Sequence, residues 1–128
     1  MAWATSSTPN IVESGSFMGK TLWAFMGSHA DASTAVEVIA APGAGKSLYI
    51  TYIMLVAGND ADAFPQIQDG NAVVLFGPFP NMSGATTPKS YVKEYKNPIK
   101  VTANKAIQLK TAAAGLAYIY IEGFTAEG

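Results

Sequence analysis

The sequence predicts an all-β protein, an antiparallel β-sandwich that is jelly-roll-like and carries an extended N-terminal arm. Short runs rich in β-branched and aromatic residues recur along the 128 residues and are separated by turns of Gly, Pro, Asn and Asp. No long stretch has the apolar period of an amphipathic helix. About seven or eight such runs in one chain match the strand number of a two-sheet sandwich.

The chain divides into an arm and one domain. Residues 1–16 are rich in Ser, Thr, Gly and Ala, and Trp3 is their anchor, so we expect an extended arm. Residues 17–128 are expected to form a single β-sandwich domain. Its predicted strands lie at 20–26, 33–40, 46–56, 62–68, 72–79 and 116–124, with a strand pair or a bent strand at 98–112.

The longest predicted strand, 46–56, is apolar on both alternating faces, which indicates burial on both sides. The run before it ends at Pro42-Gly43, which suits the central positions of a type II turn. We therefore expect residues 33–56 to form a β-hairpin.

Two other runs are less regular. Pro65 assigns the run 62–68 to a sheet edge or a bulge, because proline cannot donate to a ladder. Residues 89–96 are ambiguous: their lysines fit helical spacing, whereas Tyr91 and Tyr95 alternate with Lys93 as in a strand.

The composition indicates a protein that buries part of its surface against partners. Hydrophobic residues make up 49% of the chain and charged residues 13%, about half the usual charged fraction. So little charge cannot cover the whole surface of a domain, and exposed apolar area marks contact sites.

Several function classes are disfavoured by what the sequence lacks. There is no cysteine, and His29 is the one histidine, so thiolate and histidine-rich metal sites are excluded within one chain. All eight basic residues are Lys, and the absence of Arg weighs against nucleic acid as a partner. No apolar run has the length of a membrane span. The N-terminus has neither the basic region nor the apolar region of a signal peptide, so we do not expect one.

The stretch from Ala40 to Ser47 satisfies the loose form of the phosphate-binding loop, with Gly45, Lys46 and Ser47 as its last three residues. That loop requires a helix beginning at its Lys-Ser. The β-branched and tyrosine-rich residues after Ser47 favour a strand instead. We interpret the motif as a β-turn that binds no cofactor.

The other candidate sites are interpreted as loops. His29 lies in "GSHADAS", where the composition predicts a solvent-exposed loop. Asn59, Asp60 and Asp62 fit Asx-capped turns better than a calcium loop. We therefore assign no catalytic and no metal-ligating residue, and we expect that the protein is not an enzyme.

One charge cluster remains open to two interpretations. Six of the eight lysines fall within residues 89–110, together with a single acid, Glu94. The cluster is either a set of solvated strand faces or a basic surface that meets an acidic partner. The interface candidates are Trp3, Lys89, Lys93, Lys96 and Lys100.

The stretch "VIAAPGAGKSLYI" resembles a group of small tailed-phage virion proteins, and the similarity extends to Pro98–Thr111 and Gly115–Gly123. The resemblance implies a jelly-roll-like homotrimer that binds the major capsid protein on the outer capsid surface as a decoration, or cement, protein and stabilises the shell. An alternative is a tail-fibre or receptor-binding module, with Phe79 and Tyr91 in loops that contact host glycan. Neither role involves a cofactor.

Overall fold

The computed structural model describes residues 11–17, 20–57, 65–77, 89–112 and 116–127. All regular secondary structure in these ranges is β-strand. The strands are β1 (Ile11–Phe17), β2 (Lys20–His29), β3 (Val36–Ile39), β4 (Lys46–Ala57), β5 (Gln66–Asp69), β6 (Val74–Phe76), β7 (Lys89–Lys100), β8 (Ile107–Lys110) and β9 (Ala117–Glu127).

The strands form two antiparallel sheets. The five-stranded sheet has the order β1-β2-β9-β4-β7, and the four-stranded sheet has the order β3-β8-β5-β6. Without β1, these orders are those of an eight-stranded jelly roll, in which the chain passes repeatedly from one sheet to the other. The predicted fold class is confirmed. Residues 11–16 of the predicted arm lie in β1, which pairs with β2, while residues 1–10, including Trp3, lie outside the described residues.

The core lies between the inner faces of the two sheets. Ile53 and Ile121 of the five-stranded sheet and Ile67 and Leu109 of the four-stranded sheet are fully buried in one apolar cluster. Each such side chain contributes about 1.5–3 kcal/mol relative to exposure. Because the contributing strands are distant in sequence, the core fixes how the two sheets stack.

The expectation that β4 is buried on both faces is wrong, and a β-bulge at Thr51 is the reason. Before the bulge, Leu48 and Ile50 point into the core; after it, Ile53 and Leu55 do so. The extra residue moves the apolar set by three positions instead of two, so one face stays on the core throughout. The outward residues are half-buried and are named below.

The predicted β-hairpin over 33–56 is also wrong. β3 belongs to the four-stranded sheet and pairs with β8, whereas β4 belongs to the five-stranded sheet and pairs with β7 and β9. The connection between β3 and β4 therefore crosses from one sheet to the other. Local turn chemistry alone could not distinguish this crossing from a hairpin.

Two further predictions are corrected. Of the two alternatives for the run with Pro65, the edge is wrong, because β5 begins after Pro65 and lies between β8 and β6. The bulge agrees with the register shift between Ile67 and Gln68 in the β5–β6 ladder. His29 is not exposed but is 1% accessible at the end of β2, because the ladder with β9 continues as far as the His29–Ala117 pair. Backbone pairing here overrides a loop-like composition.

The ambiguous lysine-rich run is a strand. β7 spans Lys89–Lys100, so the predicted element at 98–112 divides into the end of β7, a loop, and β8. In the described chain β7 is the edge of the five-stranded sheet opposite β1.

Candidate interaction surface

The glycine loop forms a β-turn two residues later than expected. The Lys46 N–H donates to the Gly43 carbonyl at 3.2 Å, so Ala44 and Gly45 hold the central positions. Gly45 has a φ of 79°, the value required at the third residue of a type II turn. The predicted central pair, Pro42-Gly43, lies just before it.

Asn104, in the loop between β7 and β8, holds this turn in place. The Gly43 N–H donates to Oδ1 of Asn104 at 2.9 Å, and the Asn104 N–H donates to the Lys46 carbonyl at 2.8 Å. Strand β4, not a helix, begins at Lys46, so the converging helix N-terminal donors of a phosphate cradle are missing here. The loop acts as a corner that joins the sheets.

A second corner is built on a buried carboxylate, Asp69, at the end of β5. Its Oδ1 accepts from the backbone N–H groups of Asn71 and Val73, and its Oδ2 accepts from the Thr102 hydroxyl. Burial opposes ionisation, yet these donated hydrogen bonds hold the pKa of Asp69 below its usual range. They tie the β5–β6 turn to the loop after β7.

The acidic group near His29 is a local turn. Asp31 accepts hydrogen bonds from the Ser33 hydroxyl and the Ser33 N–H, and these lower the pKa of its carboxyl. The Asp31 N–H donates to Nδ1 of His29 at 3.3 Å. Ser33 is locked to the turn and His29 is buried, so these three residues do not form a nucleophile, base and acid open to a substrate.

The described residues contain no cluster of three His, Asp or Glu side chains arranged to hold a metal ion. Within those same ranges we find no helix with the length and hydropathy of a membrane span.

A shallow cavity of about 160 Å³ lies beside the β4 bulge and is lined by Trp23, Thr51, Glu122 and their neighbours. Asn59, Asp60, Asp62 and Phe79 lie outside the described residues.

The four candidate lysines all lie in β7. Lys93, Lys96 and Lys100 are exposed, and the backbone of Lys89 pairs with Ala57. The ammonium of Lys93 lies 5.7 Å from the ring centroid of Tyr95, a cation–π distance. Lys93, Lys96 and Lys100 form a basic strip along one sheet edge, which we call the β7 lysine strip.

A wide bulge interrupts the same edge. Between the Tyr52–Glu94 and Ile50–Ile99 pairs, β4 has one residue, Thr51, and β7 has the four residues 95–98. Tyr95 packs against the core, and burial raises the pKa of its hydroxyl, whereas Lys96 and Pro98 are exposed. Lysine, proline and a bulge each obstruct strand addition, so the backbone of β7 is a poor template for a further strand.

Part of the outer face of the five-stranded sheet is apolar and aromatic. Its register aligns Met26, Tyr120, Met54 and Val92 in one row across four strands. Met26 is 45% exposed and Val92 is 54% exposed. The next row toward the start of β9 consists of Ser28, Tyr118, Val56 and Ser90 and is also uncharged.

Aromatic contacts order this face. Tyr52 and Tyr120 meet edge to face at 5.9 Å, and Tyr49 stacks on Phe124 at 5.0 Å. The Tyr120 hydroxyl donates to Oε2 of Glu122 at 2.7 Å. Tyrosine and methionine are the residue types enriched at protein interfaces.

The outer face of the four-stranded sheet is polar across β3, β8 and β5, whereas Val74 of the edge strand β6 is 45% exposed. Glu37, Gln108 and Gln68 lie side by side across β3, β8 and β5. The Gln66 amide donates to Gln68 at 2.8 Å, and the Gln68 amide donates to Gln108 at 3.1 Å. Two hydrogen bonds thus link three glutamines in a ladder, in which Gln68 is buried and Gln66 and Gln108 are half-buried. Glutamines lie here where the other sheet has tyrosines and methionines, so the two exteriors of the sandwich differ in kind.

The sequence identified some of these features and missed others. The lysine cluster was visible from spacing alone, and the structure gathers four of its members on one edge. The apolar face could not be predicted from the sequence, because its residues come from four separate strands. The alternating tyrosines of β9 were the one local signal for it. Tyr91 does not lie in a loop but in β7, half-buried on the core side opposite Leu55.

No protein-family model matches the chain, and no curated protein is significantly similar to it. A chain of the solved structure described as "Cyanophage Pam1 capsid asymmetric unit" is similar over 98% of this chain and 98% of its own length. The TM-score is 0.44 and the sequence identity is 13%.

Proposed function

We propose that this protein is a structural virion protein that decorates the outer surface of a phage capsid as a homotrimer bound to the major capsid protein. It stabilises the shell mechanically and is not an enzyme. The observation that carries the proposal is the contrast between the two exteriors: an apolar, aromatic face on one sheet and a polar glutamine ladder on the other. Such a molecule acts through protein contacts on selected surfaces.

The jelly-roll topology supports this role without selecting it, since the fold also occurs in lectins and cupins. The stretch "VIAAPGAGKSLYI" adds the resemblance to small tailed-phage virion proteins. In this chain the stretch forms a corner clasped by Asn104, which is a structural task and requires no ligand.

The β7 lysine strip is the proposed capsid-docking surface. Lys93, Lys96 and Lys100 are exposed on an edge whose backbone is obstructed, so their ammonium groups are the contacts that the edge offers. A partner surface rich in Asp and Glu fits this strip, and lysines give the association an ionic-strength dependence. Trp3 and the residues before β1 are the proposed second anchor.

The test is binding of purified protein to undecorated capsids of the same phage, followed by the capsid disruption temperature. We expect saturable binding and a higher disruption temperature with wild-type protein. The double variant K93E/K96E should bind at least about tenfold more weakly. The control K46E/K110E makes the same change in charge away from β7 and should bind normally.

Normal capsid binding by K93E/K96E would show that the lysine strip is not the docking surface. No binding by the wild-type protein, combined with a loss of host adsorption on gene deletion, would replace decoration with receptor binding.

A further inference from the structure

We propose that the cavity beside the β4 bulge is a binding site for an arginine side chain of another protein. The chain itself contains no arginine, so the occupant belongs to a partner and not to a second copy. The site goes beyond the proposed function, because it does not depend on which surface of a virion the protein covers.

The cavity exists because neighbouring strands provide little bulk at this point. Thr51 is the bulged residue of β4 and has no partner in the ladders with β7 and β9. Gly123 of β9 has no side chain, and Ala24 of β2 has only a methyl group. Leu22, Ala24 and Glu122 alternate with core residues of their strands, so the cavity opens on the outer face of the five-stranded sheet.

The cavity wall contains one charged residue, Glu122, which is half-buried. Its Oε2 accepts the Tyr120 hydroxyl at 2.7 Å, and this hydrogen bond fixes the orientation of the carboxylate. Within the described part of the chain, no other donor and no cation contacts this carboxylate. A half-buried charge without a counter-charge favours a ligand that brings one.

The polar groups of the cavity are acceptors. The Glu122 carboxylate has acceptor oxygens only, and the Thr51 hydroxyl donates its hydrogen to the Glu122 carbonyl at 3.2 Å, which leaves the lone pairs of Oγ1. A guanidinium group has five N–H donors and no acceptor, so it matches these groups. An anion would add acceptors to acceptors and does not match them.

The surroundings favour arginine over lysine. Leu22 and Ala24 form an apolar wall for the methylene stem of the side chain. Tyr52 lies directly across from Glu122 and meets Tyr120 edge to face at 5.9 Å, so two aromatic rings lie beside the carboxylate. A planar guanidinium pairs with a carboxylate and stacks on a tyrosine ring at the same time, whereas an ammonium is a point charge.

The charges around the cavity also favour a cation. Glu13 and Glu94 belong to the same row of the sheet as Glu122. In the neighbouring rows, the ammonium of Lys20 lies 4.6 Å from the centroid of an aromatic ring, and Lys100 lies at the far edge, on β7. Three acids against two lysines leave this region acidic, so a positively charged side chain is attracted to it.

The experiment is an amide NMR titration of the full chain with Nα-acetyl-arginine amide. Nα-acetyl-citrulline amide has nearly the same shape without the charge and is the control ligand. Glu122→Gln removes the charge from the cavity wall. Glu94→Gln is the matched control, because it makes the same change in the same row but outside the cavity.

We expect saturable shifts at the amides of Ala24, Thr51 and Gly123, with a dissociation constant in the millimolar range. Glu122→Gln should weaken binding at least about tenfold, because it removes a charge-assisted hydrogen bond, and Glu94→Gln should bind as the wild type does. The absence of saturable shifts, equal shifts with the citrulline ligand, or equal weakening by the two variants would overturn the inference.

The capsid assay separates this inference from the proposed function. Saturable arginine binding in the cavity without capsid binding would reject decoration and support the inference. Capsid binding by a protein whose cavity gives no such shifts would support decoration and reject the inference.

Discussion

Trp23 of β2 lies directly across from Gly123 of β9, and its indole ring occupies the space that a side chain at residue 123 would need. A Cβ placed on Gly123 would lie 2.6 Å from the indole Cη2 and would overlap the carbonyl oxygen of Tyr49 on the other side. The glycine thus allows an aromatic ring to cover the centre of the five-stranded sheet beside the β4 bulge.

Replacing Gly123 with Ala should therefore destabilise the protein by about 3 kcal/mol, because the Tyr49 carbonyl belongs to the ladder and cannot move away. Gly70→Ala is the control: its Cβ would lie 3.4 Å from the flexible side chain of Lys105, an ordinary contact. Urea unfolding followed by tryptophan fluorescence measures both. Equal stability of the two variants would show that the sheet shifts to admit the methyl group.

Parts of the fold could be predicted from the sequence because they depend on local chemistry. The β-branched and aromatic runs at 20–26 and 46–56 lie within β2 and β4, and the run at 116–124 coincides with β9 from Ala117 onward. The lysine cluster was also visible, since it is a matter of composition.

Other parts of the fold depend on pairing between strands, which local sequence patterns do not predict. β1 is a Ser- and Gly-containing stretch that is a strand because β2 pairs with it. The bulge at Thr51 moves the core face of β4 from Ile50 to Ile53, a change that strict alternation cannot anticipate. The outer apolar face requires the register of four strands, and no single run contains it.

The buried Asp69 should make stability depend on acid. Because hydrogen bonds lower its folded-state pKa below the ordinary value of 3.8, the unfolded chain takes up the proton first as the pH falls. The stabilisation is therefore complete above about pH 5 and is lost as the pH falls through 3.8 toward the lower folded pKa.

Asp69→Asn removes this dependence, and Asp69→Ala should cost about 3 kcal/mol at pH 7, because two backbone donors and the Thr102 hydroxyl lose their acceptor. Urea unfolding at pH 3, 5 and 7 is the measurement. An unchanged difference between wild type and D69N at all three pH values would contradict the ionised form of Asp69.

Asn104 combines a left-handed backbone with a side-chain hydrogen bond, and two substitutions separate these roles. Its φ is 54°, and its Oδ1 holds the Gly43 N–H. Asn104→Gly keeps the backbone conformation and loses the hydrogen bond, which should cost about 1 kcal/mol. Asn104→Ala loses both and should cost about 1–2 kcal/mol more.

Thermal unfolding ranks the three proteins. The expected order of stability is wild type, then N104G, then N104A. If N104G proved the least stable, the positive φ would not be the reason for asparagine at this position.

The edge of β7 should resist aggregation because of Lys93, Lys96 and Pro98. Proline removes an N–H donor, the lysines bring charge, and the bulge at residues 95–98 breaks the flat edge that a second strand requires. Substituting K93T, K96T and P98V together leaves a long strand of β-formers with few charges, so we expect faster aggregation of the folded protein. Light scattering and thioflavin fluorescence at fixed concentration measure it. K46T/K110T, which removes the same number of lysines elsewhere, is the control, and equal aggregation of the two variants would attribute the effect to net charge rather than to the β7 edge.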